Sequence, residues 1–146
     1  MSTREHHCNS ARVYGVEQAK ESLKAILDCS ERGGLSRISR PGRAPAAVVN
    51  GENLRRYLAS TIVPEVQVVN TDGAWALLMP GRPFAAESPR LEEAVEDFVD
   101  AMREYSDDWE TYLHAASNHR ENWGLVQLVK LSTDAQMAAW LTGSAT

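Results

Sequence analysis

One stretch of the sequence, between residues 91 and 112, limits the possible folds more than any other. Its large apolar side chains recur at alternating spacings of four and three residues, which is the periodicity of one face of an α-helix. They are Leu91, Val95, Phe98, Met102, Tyr105, Trp109 and Tyr112. Ser88 and Pro89 precede them as an N-cap followed by proline at the first helical position. The pattern predicts a helix of about six turns whose apolar face covers the core.

The remaining surface of this helix is acidic. It carries Glu92, Glu93, Glu96, Asp97, Asp100, Glu104, Asp107, Asp108 and Glu110, with Arg103 as its one basic residue. A solvated surface helix is one explanation, but so much uncompensated charge also favours attraction of a basic partner protein, for example by imitating a phosphate backbone toward a basic ribonuclease. We expect Asp100, Glu104 and Asp108 to contact that partner. If the apolar seam is a binding groove as well as a core face, Trp109 and Tyr112 are the expected anchors.

The first sixty residues predict a β-α-β-β-α arrangement. A short strand is expected at 12–16 and a helix at 17–32, which Gly33 and Gly34 would end. Two extended runs, 35–40 and 43–50, are separated by Pro41 and Gly42, a turn signal that favours a hairpin. A helix at 52–60 completes the unit.

Pro64 marks the expected domain boundary, because the residue before proline avoids helical geometry. We therefore predict a flexible tail at 1–11, a first domain at 12–62 and a second at 63–146. In the second domain, strands are expected at 65–69, 74–79 and 83–87, followed by the acidic helix, a buried strand at 124–131 and a last helix. Ser132 or Thr133 would cap that last helix, which should end near Gly143. The fold class is thus α+β, with the first unit followed by a smaller α+β lobe.

Charge is divided unevenly along the chain. The net charge is -5, but residues 1–60 contain ten Lys and Arg against six Asp and Glu, and residues 61–146 contain five against fourteen. The balances are therefore +4 and -9, which indicates two different partners, a polyphosphate for the basic half and a basic protein for the acidic half. No apolar run approaches the roughly 20 residues of a membrane span, and the N-terminus lacks a secretory signal. With only two cysteines, the expected location is the cytoplasm.

Two segments of the basic half resemble the Phd/YefM (prevent-host-death) antitoxin family. Residues 16–23, VEQAKESL, are similar to the family's strand end and helix start. Residues 38–49, ISRPGRAPAAVV, resemble its hairpin, in which a Ser/Thr-Arg pair precedes a glycine turn and a valine-rich strand. The resemblance implies a β-α-β-β-α unit that dimerises over a shared sheet and binds palindromic operator DNA. It also implies a C-terminal portion that wraps a toxin, commonly a ribonuclease.

By this resemblance, Lys20 and Arg40 occupy the places of two DNA-contacting residues, one in the first helix and one in the hairpin. The sequence adds Lys24, Arg37 and Arg43 nearby. Lys20 and Lys24 would share a helical face, and such cations contact backbone phosphates more readily than they read bases. The second half departs from the family pattern, because it looks folded. Its segments 73–76, GAWA, and 91–94, LEEA, are weakly similar to HicB-type antitoxin domains.

The sequence contains no motif for catalysis. It has no glycine-rich phosphate loop, nucleophile elbow or metal-binding helix motif. His6, His7 and Cys8, even with Cys29, would make a poor tetrahedral metal site. We therefore predict a non-enzymatic antitoxin without a cofactor or a small-molecule substrate, which binds operator DNA as a dimer and neutralises a toxin. The alternatives are a protein-binding module with an antitoxin-like fold that does not bind DNA, and a metal-dependent nuclease built on the second lobe.

Overall fold

The computed structural model describes residues 12–143, which form an α+β fold with two small sheets. The described residues divide into two compact units, and the division falls between Leu54 and Arg55. The first unit contains strand β1 (Val13–Gly15), helices α1 (Val16–Glu21) and α2 (Leu23–Glu31), and strands β2 (Ser36–Ser39) and β3 (Ala46–Val48). Helix α3 (Gly51–Thr61) crosses the division. The predicted order of elements in the first sixty residues is present, apart from a split helix.

The first sheet has the order β1-β2-β3, with β1 parallel to β2 and β2 antiparallel to β3. Tyr14 is paired with Ile38, and both face the helices, where Ala19 and Ile26 are buried against them. Side chains alternate between the two faces of a strand. Arg37, between Ser36 and Ile38, therefore belongs to the opposite face of the sheet.

The helix expected at 17–32 is interrupted at Ser22, whose φ of -108° and ψ of 15° depart from helical values. The interruption is a kink, because the backbone N–H of Ser22 still donates to Gln18 O and the N–H of Ile26 still donates to Ser22 O, both at 3.0 Å. At the other end, the N–H of Gly34 donates to Cys29 O and Gly33 has a φ of 85°. A left-handed glycine therefore ends the helix as the sequence predicted.

The second unit, expected to be the smaller, is the larger one. It contains strands β4 (Gln67–Thr71), β5 (Ala74–Leu78) and β6 (Ala85–Ser88) and helix α4 (Leu91–Thr111). Two 3-10 turns, Leu113–Ala115 and Arg120–Asn122, lead to helices α5 (Trp123–Leu131) and α6 (Asp134–Thr142). The sheet is antiparallel with the order β4-β5-β6, and the two-residue turn Asp72-Gly73, with both φ values positive, closes its first hairpin.

Helix α4 packs on β5 and β6 and forms the centre of this unit's core. Its side chains Phe98 and Met102 are almost completely buried, as are Val126 and Leu128 of α5 and Met137 of α6. Five of the seven residues of the apolar seam are buried: Val95, Phe98, Met102, Tyr105 and Trp109. The seam is therefore chiefly the core face that the periodicity predicted.

Two local predictions in the second half are wrong. The expected strand at 124–131 is helix α5, and its buried residues Leu125, Val126, Leu128 and Val129 have helical spacing. A short apolar run does not distinguish a buried strand from a buried helix, which explains the error. Ser88 does not cap α4 either, because it ends β6 paired with Trp75, and the helix begins after Arg90. The cap of the last helix was predicted correctly, since Thr133 Oγ1 accepts from Gln136 N at 3.1 Å.

The predicted division at residues 62 and 63 differs from the division between Leu54 and Arg55, which lies within a continuous helix. The assignment of separate tasks to residues 12–62 and 63–146 stays a prediction. The predicted tail, residues 1–11, lies outside the described residues, and so do His6, His7 and Cys8.

Candidate functional site

The helix lysines of the first unit are exposed but paired. Lys20 on α1 contacts Glu17 at 3.2 Å, and Lys24 on α2 contacts Asp28 at 2.9 Å. The hydrogen bond and the charge of Asp28 raise the pKa of Lys24. Surface ion pairs of this kind contribute little to stability. Each lysine can therefore exchange its carboxylate for another anion at small cost.

Arg40 and Arg43 lie on either side of a tight turn. The N–H of Arg43 donates to Arg40 O at 3.2 Å across Pro41 and Gly42, and Gly42 has a φ of 70°. Proline at the second position and a left-handed glycine at the third are typical of a type II turn. The turn thus holds the backbone of Arg40 and Arg43 together.

The side chains of Arg37, Arg40 and Arg43 are exposed, and none forms an ion pair or side-chain hydrogen bond within residues 12–143. Arg37 lies on the sheet face opposite the helices, in register with Val13 and Ala47. The five predicted DNA contacts therefore form two groups. Lys20 and Lys24 lie on helices and form ion pairs there, whereas the three arginines have no acidic partner among the described residues. We call Arg37, Arg40 and Arg43 the hairpin arginines.

The predicted partner-binding residues of the second unit differ in their environments. Trp109 is buried, and its Nε1 donates to the carbonyl oxygen of His119 at 2.8 Å. Its side chain is therefore part of the core of the second unit. Tyr112 is 60% exposed. The negative charge of Asp108 raises the pKa of Tyr112, with smaller contributions from burial and from a hydrogen bond to the same carboxylate. Asp100 and Glu104 are exposed, and Asp108 is half-buried.

Glu104 and Asp108 line a cleft of about 410 Å³ in the second unit, which we call the acidic cleft. Tyr105 of the same helix also lines the cleft, and so does Phe84, which leads into β6. His119 and Leu113, from the turns that follow α4, also line the acidic cleft. Asp100 does not line it. The sequence predicted the two carboxylates as contacts but gave no sign of the cleft, because three separate segments build it.

A hydrogen-bond network holds one wall of the acidic cleft. The hydroxyl of Tyr105 lies 2.8 Å from Nδ1 of His119, and Nδ2 of Asn122 donates to that hydroxyl oxygen at 2.7 Å. The guanidinium of Arg82 in turn donates to Oδ1 of Asn122. These polar side chains of the loop after α4 therefore brace the corner. Such mutual hydrogen bonds in a half-buried network restrain the side chains of the wall.

Two other carboxylates of α4, Asp107 and Glu110, share a basic partner from a neighbouring helix. Lys130 of α5 contacts Glu110 at 2.9 Å and Asp107 at 3.5 Å, and these contacts raise the pKa of Lys130. Arg103 contacts Asp134 at 2.7 Å. The acidic surface is thus partly neutralised by a lysine that is distant in sequence, a contact that helical periodicity alone does not reveal.

Within residues 12–143 there is no group of three or more His, Cys, Asp or Glu side chains arranged to hold a metal ion. No helix in that part of the chain combines the length and apolar character needed to cross a bilayer.

Comparison with known proteins yields a structural likeness. No protein-family model and no curated protein matches the sequence. The fold is similar to the crystal structure of the antitoxin part of a proposed toxin/antitoxin system from Syntrophomonas wolfei subsp. wolfei. The TM-score is 0.73 and the identity 13%, over 88% of this chain and 95% of the other. At that identity the likeness shows a shared fold, and it extends through both units.

Proposed function

We propose that this chain is an antitoxin of a type II toxin–antitoxin system, related to the Phd/YefM family through its first unit. It would bind operator DNA as a dimer to repress its own operon, and it would bind and neutralise a cognate toxin, a ribonuclease. The observation that carries the proposal is the likeness of the whole fold to the Syntrophomonas wolfei antitoxin. The motifs at residues 16–23 and 38–49, found in the sequence independently of that likeness, support it.

The charges of the first unit favour operator DNA as one partner. The hairpin arginines are exposed and have no counter-ion among the described residues. Phosphate groups supply such a counter-ion, and arginine can also read a guanine edge in the major groove. Lys20 and Lys24 would add phosphate contacts by giving up their surface ion pairs.

Exposed apolar side chains of the first unit favour a dimer. Leu23 and Leu27 lie one turn apart on α2 and are 54% and 50% exposed. Val13 and Val16 are exposed as well. Burying such residues against a second copy is favourable. A dimer would also double the number of cations offered to a palindromic operator.

The second unit favours a basic protein as the other partner. Its net charge and the carboxylates of α4 that have no basic partner in the described chain would attract a cationic surface. Ribonucleases bind a polyanion, so a basic active surface is expected of such a toxin, and covering it would neutralise the enzyme.

To test DNA binding, the affinity of the chain for duplex DNA from the region upstream of its own gene is measured at several salt concentrations. Lys20→Ala with Arg40→Ala should weaken binding by about tenfold or more, and log K against log salt should become less steep. Arg90→Ala with Arg120→Ala removes two cations from the second unit and serves as the matched control. Unchanged binding by the Lys20 and Arg40 variant would refute the DNA-binding assignment.

The neutralising part is tested by co-purification from the native host and expression of the partner that remains bound. We expect a small basic protein that arrests growth when expressed alone, and normal growth when this chain is co-expressed. A chain that repeatedly purifies without any companion would contradict the antitoxin role.

A second candidate is a protein-binding module with an antitoxin-like fold that does not bind DNA. The observation that favours it is the pairing of Lys20 and Lys24 with carboxylates of their own helices. It predicts no salt-dependent DNA binding at all, so the same titration separates the two candidates.

A further inference from the structure

We infer that the acidic cleft binds an arginine side chain of the partner protein. We call the cleft in this role the arginine socket. The inference rests on the proposed function for the identity of the partner as a toxin. The socket itself is argued from the cleft's size, charge and aromatic walls.

The first argument is the distribution of ion pairs along α4. Asp107 and Glu110 share Lys130, whereas no basic side chain of residues 12–143 pairs with Glu104 or Asp108. The latter two are one helical turn apart and line the same cleft. Lys130 and Arg90 therefore pair with carboxylates of α4 outside the cleft, and the two inside it are left without a basic partner in residues 12–143.

The second argument is the aromatic lining. The rings of Phe84 and Tyr105 lie 5.4 Å apart between centroids, at 56°, and Phe84 is further packed edge-on against Phe98 at 5.5 Å. Both lining rings are largely buried and so held in place. A guanidinium is planar and weakly hydrated, and it packs well on aromatic rings while its N–H groups reach carboxylates. Aromatic rings and two carboxylates together match arginine better than they match a hydrated metal ion.

The third argument is that the polar side chains of the wall bond to one another and not to the two carboxylates. The amide of Asn122 donates to the hydroxyl oxygen of Tyr105, and that hydroxyl lies 2.8 Å from Nδ1 of His119, so both side chains are engaged within the wall. The nearby guanidinium of Arg82 is already bonded to Asn122. Neither His119 nor Arg82 takes the place of an incoming cation at Glu104 and Asp108.

The size of the cleft limits its occupant. Ligand pockets range from about 300 to 1,000 Å³, and at about 410 Å³ the acidic cleft lies near the lower end. It admits a long side chain with its flanking backbone outside, and it excludes a helix or strand. A protein that inserts one arginine is therefore the occupant that fits both volume and charge.

The test uses the full chain, labelled for NMR, and the peptide acetyl-Gly-Arg-Gly-amide. We expect saturable shifts of the amides of Phe84, Tyr105 and Asp108. The same peptide with citrulline, which has the shape of arginine without its charge, should bind at least about tenfold more weakly. Equal binding of both peptides, or shifts spread along the whole acidic surface, would overturn the inference.

Matched variants locate the binding. Glu104→Gln with Asp108→Asn should abolish the saturable shifts. Glu92→Gln with Glu96→Gln removes two exposed acids at the same four-residue spacing from α4, outside the cleft, and should leave the shifts unchanged. If both pairs lose binding equally, the attraction is general and the socket does not exist.

The two proposals fail separately. A toxin that binds the Glu104 and Asp108 variant as tightly as the unchanged chain would refute the arginine socket and leave the antitoxin role intact. Specific binding of the arginine peptide in a chain that neutralises no toxin would refute the antitoxin role and leave the socket standing.

Discussion

At the scale of single residues, two side chains with the same place in a sequence pattern can differ in solvent exposure. Tyr105 and Tyr112 belong to the same apolar seam, yet Tyr105 is 7% exposed and Tyr112 is 60% exposed. Helix α4 ends at Thr111, and Tyr112 follows with a φ of -148°, so its side chain leaves the helical face. Periodicity predicts which face a residue is on only while the helix continues.

Tyr105→Phe tests the bracing network. The change removes a hydroxyl that serves both Asn122 and His119, and leaves their polar atoms without a partner in a half-buried site. We expect the free energy of unfolding to fall by about 1–3 kcal/mol, measured by urea titration. Tyr112→Phe, at the exposed position, should change it by less than about 0.5 kcal/mol. Similar losses for both variants would mean that the network contributes nothing.

Titration of Tyr112 tests the electrostatics of the helix end. The carboxylate of Asp108 opposes formation of a phenolate, which raises the pKa of Tyr112 in the folded state. Any stability gained in this way is complete below the ordinary pKa of tyrosine and is lost as pH rises through the folded pKa. Asp108→Asn should lower the pKa of Tyr112 in an NMR titration of labelled tyrosine. No change would show that the carboxylate is too distant to act.

At the scale of elements, one arginine joins three helices. Arg103 of α4 donates from Nη1 to Val129 O at 3.1 Å, from Nη2 to Ser132 O at 2.9 Å, and from Nε to Asp134 at 2.7 Å. It therefore satisfies carbonyls at the end of α5 and pairs with an acid in the first turn of α6. Its presence in an acidic helix was visible in the sequence, but its three partners, 26 to 31 residues further along the chain, were not.

Arg103→Met should destabilise the second unit by about 1–3 kcal/mol, because the carbonyl oxygens lose charge-assisted donors. Thermal or urea unfolding measures the loss. Arg90→Met is the control, since Arg90 forms only an exposed pair with Glu93 at 3.8 Å, and it should cost less than about 0.5 kcal/mol. Arg103→Lys should recover only part of the loss, because an ammonium cannot copy the planar guanidinium. Full recovery by lysine would indicate that charge alone matters.

At the scale of the whole molecule, the two units differ in the size of their cores. The first unit buries Tyr14, Ala19 and Ile26, with Ile38 and Val48 half-buried around them. The second unit buries apolar residues from its sheet and from α4, α5 and α6. A smaller apolar core provides less stability against local opening. The basic unit should therefore open more readily than the acidic one.

Hydrogen exchange measured by mass spectrometry tests this difference. Backbone amides of β2 and β3 should exchange faster than those in the middle of α4. Ile26→Ala creates a cavity at a position that is 1% exposed and should cost about 2–5 kcal/mol. Its effect on exchange should be confined to the first unit. Equal acceleration in α4 would show that the chain opens as one cooperative body.

The sequence by itself determined those features that depend on local chemistry. Pro41-Gly42 specified a turn because only certain residues adopt its backbone angles. The sequence limited the start of the last helix to Ser132 or Thr133, and the seam of α4 specified a buried face. Tertiary structure decided what depends on distant contacts: α5 became a helix where an apolar run fits either state, and Lys130 neutralised carboxylates of α4. It also assembled the acidic cleft from three segments, since packing alone brings Phe84 to the same cleft as Glu104 and Asp108.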